Sequence, residues 1–318
     1  MIRLVTQVSQ IRSTVSDLLI TKGRGVVTAI PYGWLLVFFL IPFLLVLRIS
    51  FSETMFAIPP ISPIVKWGSD MVLQLNFNLW NYHEILTDQL FLATILSSLG
   101  ISLLTTLVCL LAGYSMAYSM VSVAPRWRLV LFLLLMLPFW TSFLIRVYAW
   151  VGLLSNTGII NSTLMQLGLI SEPIQLLYTK FSLVLGLVYC YLPFMVLPIY
   201  VSLEKIKPEY KEAAFDLGAK PWTVFWRVTV PLSIPGIISG SILVFIPVVG
   251  EYVIPELLGS SETLMIGRVM WTEFFNNRDW PTACALAVVM LVIFVVPIMI
   301  FQRAQAQQQL LSEDEHAA

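Results

Sequence analysis

Charge is scarce in this chain. Of its 318 residues only 11% are Asp, Glu, Lys or Arg, against 58% hydrophobic, and the mean hydropathy is +0.87. A soluble domain carries about 45–50% apolar and about 25% charged residues, so a water-soluble globule is excluded. The 18 basic and 18 acidic residues cancel, leaving no net field to hold nucleic acid, and no nucleic-acid partner is expected. Histidine is nearly absent. His83 and His316 fall in a polar loop and in the tail, so no apolar run offers an imidazole as metal ligand or general base. Cys109, Cys190 and Cys284 lie inside apolar runs at spacings that match no metal site, and three thiols cannot pair completely. They read as small core residues. The G-x-x-x-x-G-K-S/T phosphate loop is also missing, and Gly218-Ala219-Lys220 has neither its spacing nor its hydroxyl. The chain therefore cannot cradle ATP phosphates itself. No cofactor, no metal and no enzymatic activity of its own are expected.

What the chain has in excess is long apolar runs. Six are long enough to cross a bilayer, about 20 residues each, near 29–49, 91–119, 129–154, 181–203, 233–255 and 282–302. Every backbone group inside a bilayer must be satisfied within the protein, so runs of this kind predict an α-helical bundle. The expected fold class is all-α, a polytopic membrane protein. No small-residue cleavage site accompanies the first run, so the first helix is expected to stay in the membrane. Residues 1–28 precede it as a cytoplasmic segment. Val5, Val8, Ile11, Val15 and Leu18 recur there at helical spacing beside Arg3, Arg12, Lys22 and Arg24. An amphipathic helix lying on the lipid surface and a frayed tail both remain open. Residues 29–302 form the membrane domain and 303–318 a Gln-rich, acidic cytoplasmic tail.

Charge placement orients the runs. With the N-terminus inside, the inner segments collect Arg3, Arg12, Lys22, Arg24, Arg126, Arg128, Lys205, Lys207, Lys211, Lys220, Arg227 and Arg303, 12 of the 18 Lys and Arg. That bias predicts both termini in the cytoplasm. Segment 204–232 then also faces the cytoplasm. Gly236-x-x-x-Gly240 in the fifth run predicts close helix packing. Pro42, Pro138, Pro193, Pro198 and Pro297 are expected to kink or break helices locally.

Within 204–232 stands "YKEAAFDLGAKPW", from Tyr210 to Trp222. Pro208 suits a first helical turn, Glu209 and Glu212 suit its dipole, and Glu212-Ala213-Ala214 favours helix. Gly218 is placed to end it in a left-handed cap. Pro221 then starts a second helix, and Pro231 marks entry to the fifth run. Tyr210, Ala213 or Ala214, and Leu217 share one face. Such a short helix, apolar on one side and charged around it, suits docking in a partner's groove. Packing against its own bundle is the alternative.

Glu212-Ala213-Ala214, three residues, Gly218, nine residues, then Val228-x-Val230-Pro231 resembles the "EAA" signature of ABC importer permeases. Val228 and Val230 replace the signature's isoleucine and leucine. "LPFWTSFLIRVYAW" (137–150), "YLPFMVLPIY" (191–200), "VVGEYVIPELLG" (248–259) and "FFNNRDWP" (274–281) are similar to the polyamine importer permeases, the putrescine type above all, because Glu251 sits in "GEYVIPELLG". The resemblance covers nearly the whole chain. It implies the type I ABC importer permease fold and a heterodimer with a sister permease. It also implies two cytoplasmic ATPase subunits docked on Tyr210, Glu212, Ala213, Ala214, Leu217, Gly218 and Pro231, and a periplasmic polyamine-binding protein. Transport would follow alternating access, and ATP would be hydrolysed by the partner.

A polyamine leaving water needs carboxylates or aromatic faces in exchange for its hydration. Ionisable residues in membrane runs are the first candidates. The pathway set is Trp140, Tyr148, Trp150, Glu251, Tyr252 and Glu256. Trp140 and Trp150, ten residues apart on one helix, fall within about 80° of each other. For these aromatics an interfacial belt is the alternative to cation–π contact. Glu251 is expected in the outer part of the fifth helix, and a salt bridge to Arg146 or to the sister subunit is its alternative role. Arg146 would repel a polyamine and is expected to hold Glu251 or a loop carbonyl. A stand-alone secondary transporter or channel for organic cations is the competing function class.

Overall fold

A computed structural model describes residues 27–63, 65–67, 73–75, 77–261, 263–295 and 298–299. The expected N-terminal amphipathic helix, the acidic tail, Pro297 and the end of the sixth run lie outside the described residues. Contacts divide the chain into two units, one made of residues up to Tyr82 with those from Asp279 onward, the other of His83–Arg278.

The first unit contains α1 (Val27–Ser50), an apolar helix long enough to span. It opens into a π-turn at Leu36–Leu40 just before Pro42, with Ile41 N–H reaching back to the Leu36 carbonyl. Proline supplies no N–H and its ring crowds the carbonyl four residues back. The wider π-turn relieves both demands without ending the helix. The long stretch between α1 and the second apolar run carries a two-stranded antiparallel hairpin, β1 (Val65–Trp67) with β2 (Leu73–Leu75), Lys66 opposite Gln74. Val-Lys-Trp and Leu-Gln-Leu alternate apolar and polar residues, the period of a strand. The fold class is all-α, as expected, with this one small hairpin set among the helices. Asn81, at the start of α2 (Trp80–Thr87), donates from Nδ2 to the carbonyls of Ser50 (3.0 Å) and Ser52 (2.9 Å), which satisfies the end of α1. Thr54 Oγ1 donates to Asp279 Oδ1 at 2.5 Å. A shorter apolar helix, Trp280–Val295, represents the sixth run.

The second unit is built on three long helices, α3 (Gln89–Ser122), α7 (Lys180–Glu204) and α9 (Pro221–Val249), each packed against the other two. Between them in sequence lie α4 (Pro125–Met136), α5 (Phe143–Leu154), α6 (Ile159–Gln166) and α8 (Pro208–Asp216). Met195, Val196 and Ile199 of α7 and Val244 and Val248 of α9 are fully buried in the shared core. Gly236 and Gly240 make this packing possible. A Cβ on Gly236 would lie 2.5 Å from the Pro198 carbonyl oxygen, and one on Gly240 2.9 Å from Met195 Sδ. Pro193 and Pro198 do not break α7, which runs unbroken from Lys180 to Glu204. Arg128 gathers three helix ends: it donates to the Val121 (2.9 Å) and Val123 (3.3 Å) carbonyls and pairs with Glu204 at 3.5 Å.

The run 129–154 is two helices, not one. After α4 the chain turns through a 3₁₀ segment, Leu137–Trp140, and extends at Thr141 and Ser142 before α5 begins. Pro138 removes a donor here and its ring crowds the carbonyl four residues back. The rotation argument that put Trp140 and Trp150 on one helical face therefore fails.

Close packing at Gly236 makes a measurable demand. Gly236→Ala should lower the thermal unfolding midpoint of the detergent-solubilised protein, at a cost of about 1–3 kcal/mol. Gly100→Ala, where a Cβ meets nothing within 4 Å, should leave the midpoint unchanged or slightly raised. Equal midpoints for the two variants would mean that α9 and α7 do not approach this closely.

Candidate functional site

The fifth run does not continue to residue 255. Helix α9 stops at Val249, Gly250 takes the cap position, Glu251 and Tyr252 are non-helical, and a short helix, α10 (Val253–Leu258), follows. Two residue types enforce the stop. Glycine weakens the helix at 250, and Pro255 would leave the Glu251 carbonyl without its i+4 donor. Glu251 therefore sits in a break between two helices, not on the outer turn of one.

Breaks bare backbone groups, and this one is held from several sides. Ser182 Oγ of α7 donates to the Leu258 carbonyl at 2.7 Å. Ser98 Oγ of α3 accepts the Ile266 N–H at 2.7 Å, at the start of α11 (Ile266–Trp271). Gly267 lies so near the break that a Cβ there would meet the carbonyl oxygens of Gly250 at 2.4 Å and Glu251 at 2.6 Å.

The Glu251 carboxylate is half-buried and receives two donors. Tyr191 Oη of α7 donates to Oε2, and Val253 N–H donates to Oε1 at 3.0 Å. Hydrogen bonds to a charged acceptor are the stronger kind, and a carboxylate accepts about four, so two acceptor positions stay open. Among the described residues no salt bridge joins Glu251 to Arg146. Arg146 Nε and Nη1 are buried without a hydrogen-bond partner among the described residues, while the guanidinium rests over Phe139 (4.6 Å) and Phe143 (5.7 Å). Cation–π contact supplies roughly 0.5–2 kcal/mol, whereas desolvating a charge costs several kcal/mol. Arg146 therefore holds neither Glu251 nor a loop carbonyl.

The other pathway candidates separate. Tyr252 stacks on Trp271 at 4.3 Å, and Trp271 on Phe275 at 4.1 Å. Glu256 pairs with Arg268 at 2.7 Å. Trp150 turns to α7 and meets Tyr189 edge-on at 5.4 Å. Trp140, 79% exposed, and Tyr148, 57% exposed, stay on the surface of the chain. Tyr191, Trp271 and Arg268 were not singled out in the sequence. The donor role of Tyr191 needs a partner 60 residues away, which no local pattern announces.

The charged segment has the expected local geometry. Helix α8 spans Pro208–Asp216, and Gly218 has φ +78°. Ala219 N–H reaches the Ala214 carbonyl at 3.0 Å and Gly218 N–H the Phe215 carbonyl at 2.8 Å. These paired bonds are the Schellman closure that a left-handed glycine permits. Tyr210, Glu212, Ala213 and Leu217 are exposed, whereas Ala214 is half-buried. The second helix is the start of α9, which runs from Pro221 to Val249 without a break, through a π-turn at Phe225–Thr229 placed just before Pro231. Phe225 wedges edge-on between Tyr114 (5.7 Å) and Tyr118 (5.5 Å) of α3. Lys211 lies over the Tyr118 ring at 5.7 Å. The segment is thus exposed outward and keyed to α3 inward.

Residues 109–308 match the family described as the binding-protein-dependent transport system inner membrane component. The chain belongs to that family. As such a component it is a multi-pass transport protein of the bacterial inner membrane. It is 37% identical over 283 residues to the spermidine/putrescine transport system permease protein of Haemophilus influenzae, covering 89% of this chain and 94% of that one. The protein of the same name from Escherichia coli is 36% identical over 272 residues, covering 86% and 94%. A bacterial ABC transporter that imports alginate superposes with a TM-score of 0.67 at 17% identity, covering 92% of this chain and 98% of that one. A second structure of an alginate transporter, in complex with its pentasaccharide-bound periplasmic protein, gives 0.69 over 89% and 94%, also at 17% identity. These likenesses establish the ABC importer permease fold.

Ser98 offers a check on the break. Ser98→Ala leaves the buried Ile266 N–H without an acceptor, a loss of about 1–3 kcal/mol. Hydrogen exchange should accelerate in 263–271 and stay unchanged in 180–204. Unaltered protection of 263–271 would remove Ser98 from the support of this segment.

Proposed function

We propose that this permease is the membrane-spanning subunit of an ATP-driven polyamine importer, with putrescine as its first candidate cargo. The observation that carries the reading is Glu251, a carboxylate with no ion-pair partner among the described residues, half-buried in a helix break with acceptor positions to spare. An alkylammonium loses its water on entering such a domain and gains charge-assisted bonds there. Similarity to permeases named for spermidine and putrescine supports the same cargo class. Tyr252, Trp150, Trp140 and Tyr148 are the pathway's candidate aromatic faces, and Glu256, tied to Arg268, its second carboxylate.

The drive comes from another chain. A cytoplasmic ATPase docks on α8 through Tyr210, Glu212, Ala213 and Leu217, two ATPase copies serving this chain and a sister permease. ATP binding shifts the docked helix, and Phe225, between Tyr114 and Tyr118, passes that shift to α3 and α9. The pathway thereby alternates between inward and outward access. A periplasmic binding protein delivers the cargo, and both termini lie in the cytoplasm.

Two experiments on the assembled complex in proteoliposomes test this. Glu251→Gln should weaken putrescine uptake at least tenfold without loss of assembly; unchanged uptake kinetics would return Glu251 to a structural role. Gly218→Pro and Glu212→Lys should insert normally but lose cargo-stimulated ATP hydrolysis. Uptake by this chain alone, driven by an ion gradient, would favour a stand-alone transporter instead.

A further inference from the structure

The feature left without a role is the Arg146 guanidinium, with Nε and Nη1 buried and unpartnered. It is connected to Glu251 by a row of rings. Arg146 lies over Phe139 at 4.6 Å, Phe139 meets Phe194 edge-on at 5.5 Å, and Phe194 neighbours Tyr191 at 6.1 Å. Tyr191 in turn donates to Glu251. A cation and an anion therefore stand at the two ends of one row of aromatic contacts, unpaired with each other among the described residues. Charged residues inside a membrane domain turn to the bundle interior or to a water-filled path. An arginine kept there at the cost of two unmet donors is not needed for packing, since its ring contacts suit an apolar side chain equally well.

We propose that Arg146 is a specificity-determining residue that makes the pathway count the charges on its cargo. Its fixed positive charge opposes each ammonium that Glu251 attracts, and the opposition grows with the number of ammonium groups. A diammonium cargo places one end on Glu251 and keeps the other away. A triammonium cargo of the same length cannot keep all its charge away from the guanidinium. The inference rests on the assignment of Glu251 as the cargo carboxylate.

The test uses the complete importer in proteoliposomes and two cargoes of matched length, 1,8-diaminooctane with two charges and spermidine with three. The readout is the ratio of their KM values. Arg146→Met keeps a polarizable side chain against Phe139 and Phe143 and removes the charge. It should shift the ratio roughly tenfold in favour of spermidine, the size expected for one unit charge at about 10 Å and an effective dielectric of about 20. Arg146→Lys should keep the wild-type ratio. An unchanged ratio in an assembled Arg146→Met complex overturns the proposal. If Arg146→Met assembles poorly, Arg146→Gln carries the same expectation. Loss of the second permease chain from both neutral variants, with its retention by Arg146→Lys, overturns the proposal in favour of an interface ion pair. Glu251→Gln separates the two ideas: if it leaves both KM values unaltered the carboxylate assignment fails, whereas a weakened uptake with no ratio shift in Arg146→Met defeats only the role of Arg146.

Discussion

A helix that stops inside a membrane domain leaves carbonyls and N–H groups where water cannot satisfy them. The pause after Val249 is where this chain meets that constraint. Ser182 takes the end of α10, Ser98 takes the start of α11, and Gly267 allows α11 to lie against the bared carbonyls. Val253 N–H, freed by the same break, becomes a donor to Glu251. The carboxylate and its support are consequences of one backbone event. The three-helix core of α3, α7 and α9 supplies the rigid frame from which Ser98, Ser182 and Tyr191 reach it.

The charged segment meets a different demand. It must be exposed and still attached to the bundle. The Schellman closure at Gly218 sets the angle between α8 and α9, and the π-turn before Pro231 lets α9 continue without a break. Phe225 then locks the elbow on α3. Proline appears twice as the partner of a π-turn, at Pro42 and Pro231. In both places the missing donor is absorbed by widening the helix.

Much of this was legible because it depends on neighbours in sequence. Apolar run length announces helices such as α1, α3 and α7, proline at a first turn announces α8, and glycine after "AAFDL" announces the left-handed cap. The errors have the same origin. Hydropathy cannot see Pro138 ending α4 or Gly250 with Pro255 ending α9, because an apolar residue scores alike in a helix and in a break. So Trp140 and Trp150 were assigned to one helix, and Glu251 to a helical turn. The hairpin was hidden for want of length, three residues in each strand.

The sequence alone determined that the chain is a helical membrane protein, and that a capped, charged helix interrupts it before α9. Periodicity, capping and run length are local, and the chain carries them wherever it goes. Only the tertiary structure decided that Tyr191 holds Glu251, that Glu256 answers to Arg268, and that Arg146 has rings but no carboxylate. The Tyr191–Glu251 and Glu256–Arg268 pairings join residues on different segments of the chain. Tyr191 reaches Glu251 from α7, whose close packing on α9 Gly236 and Gly240 make possible and no single segment contains.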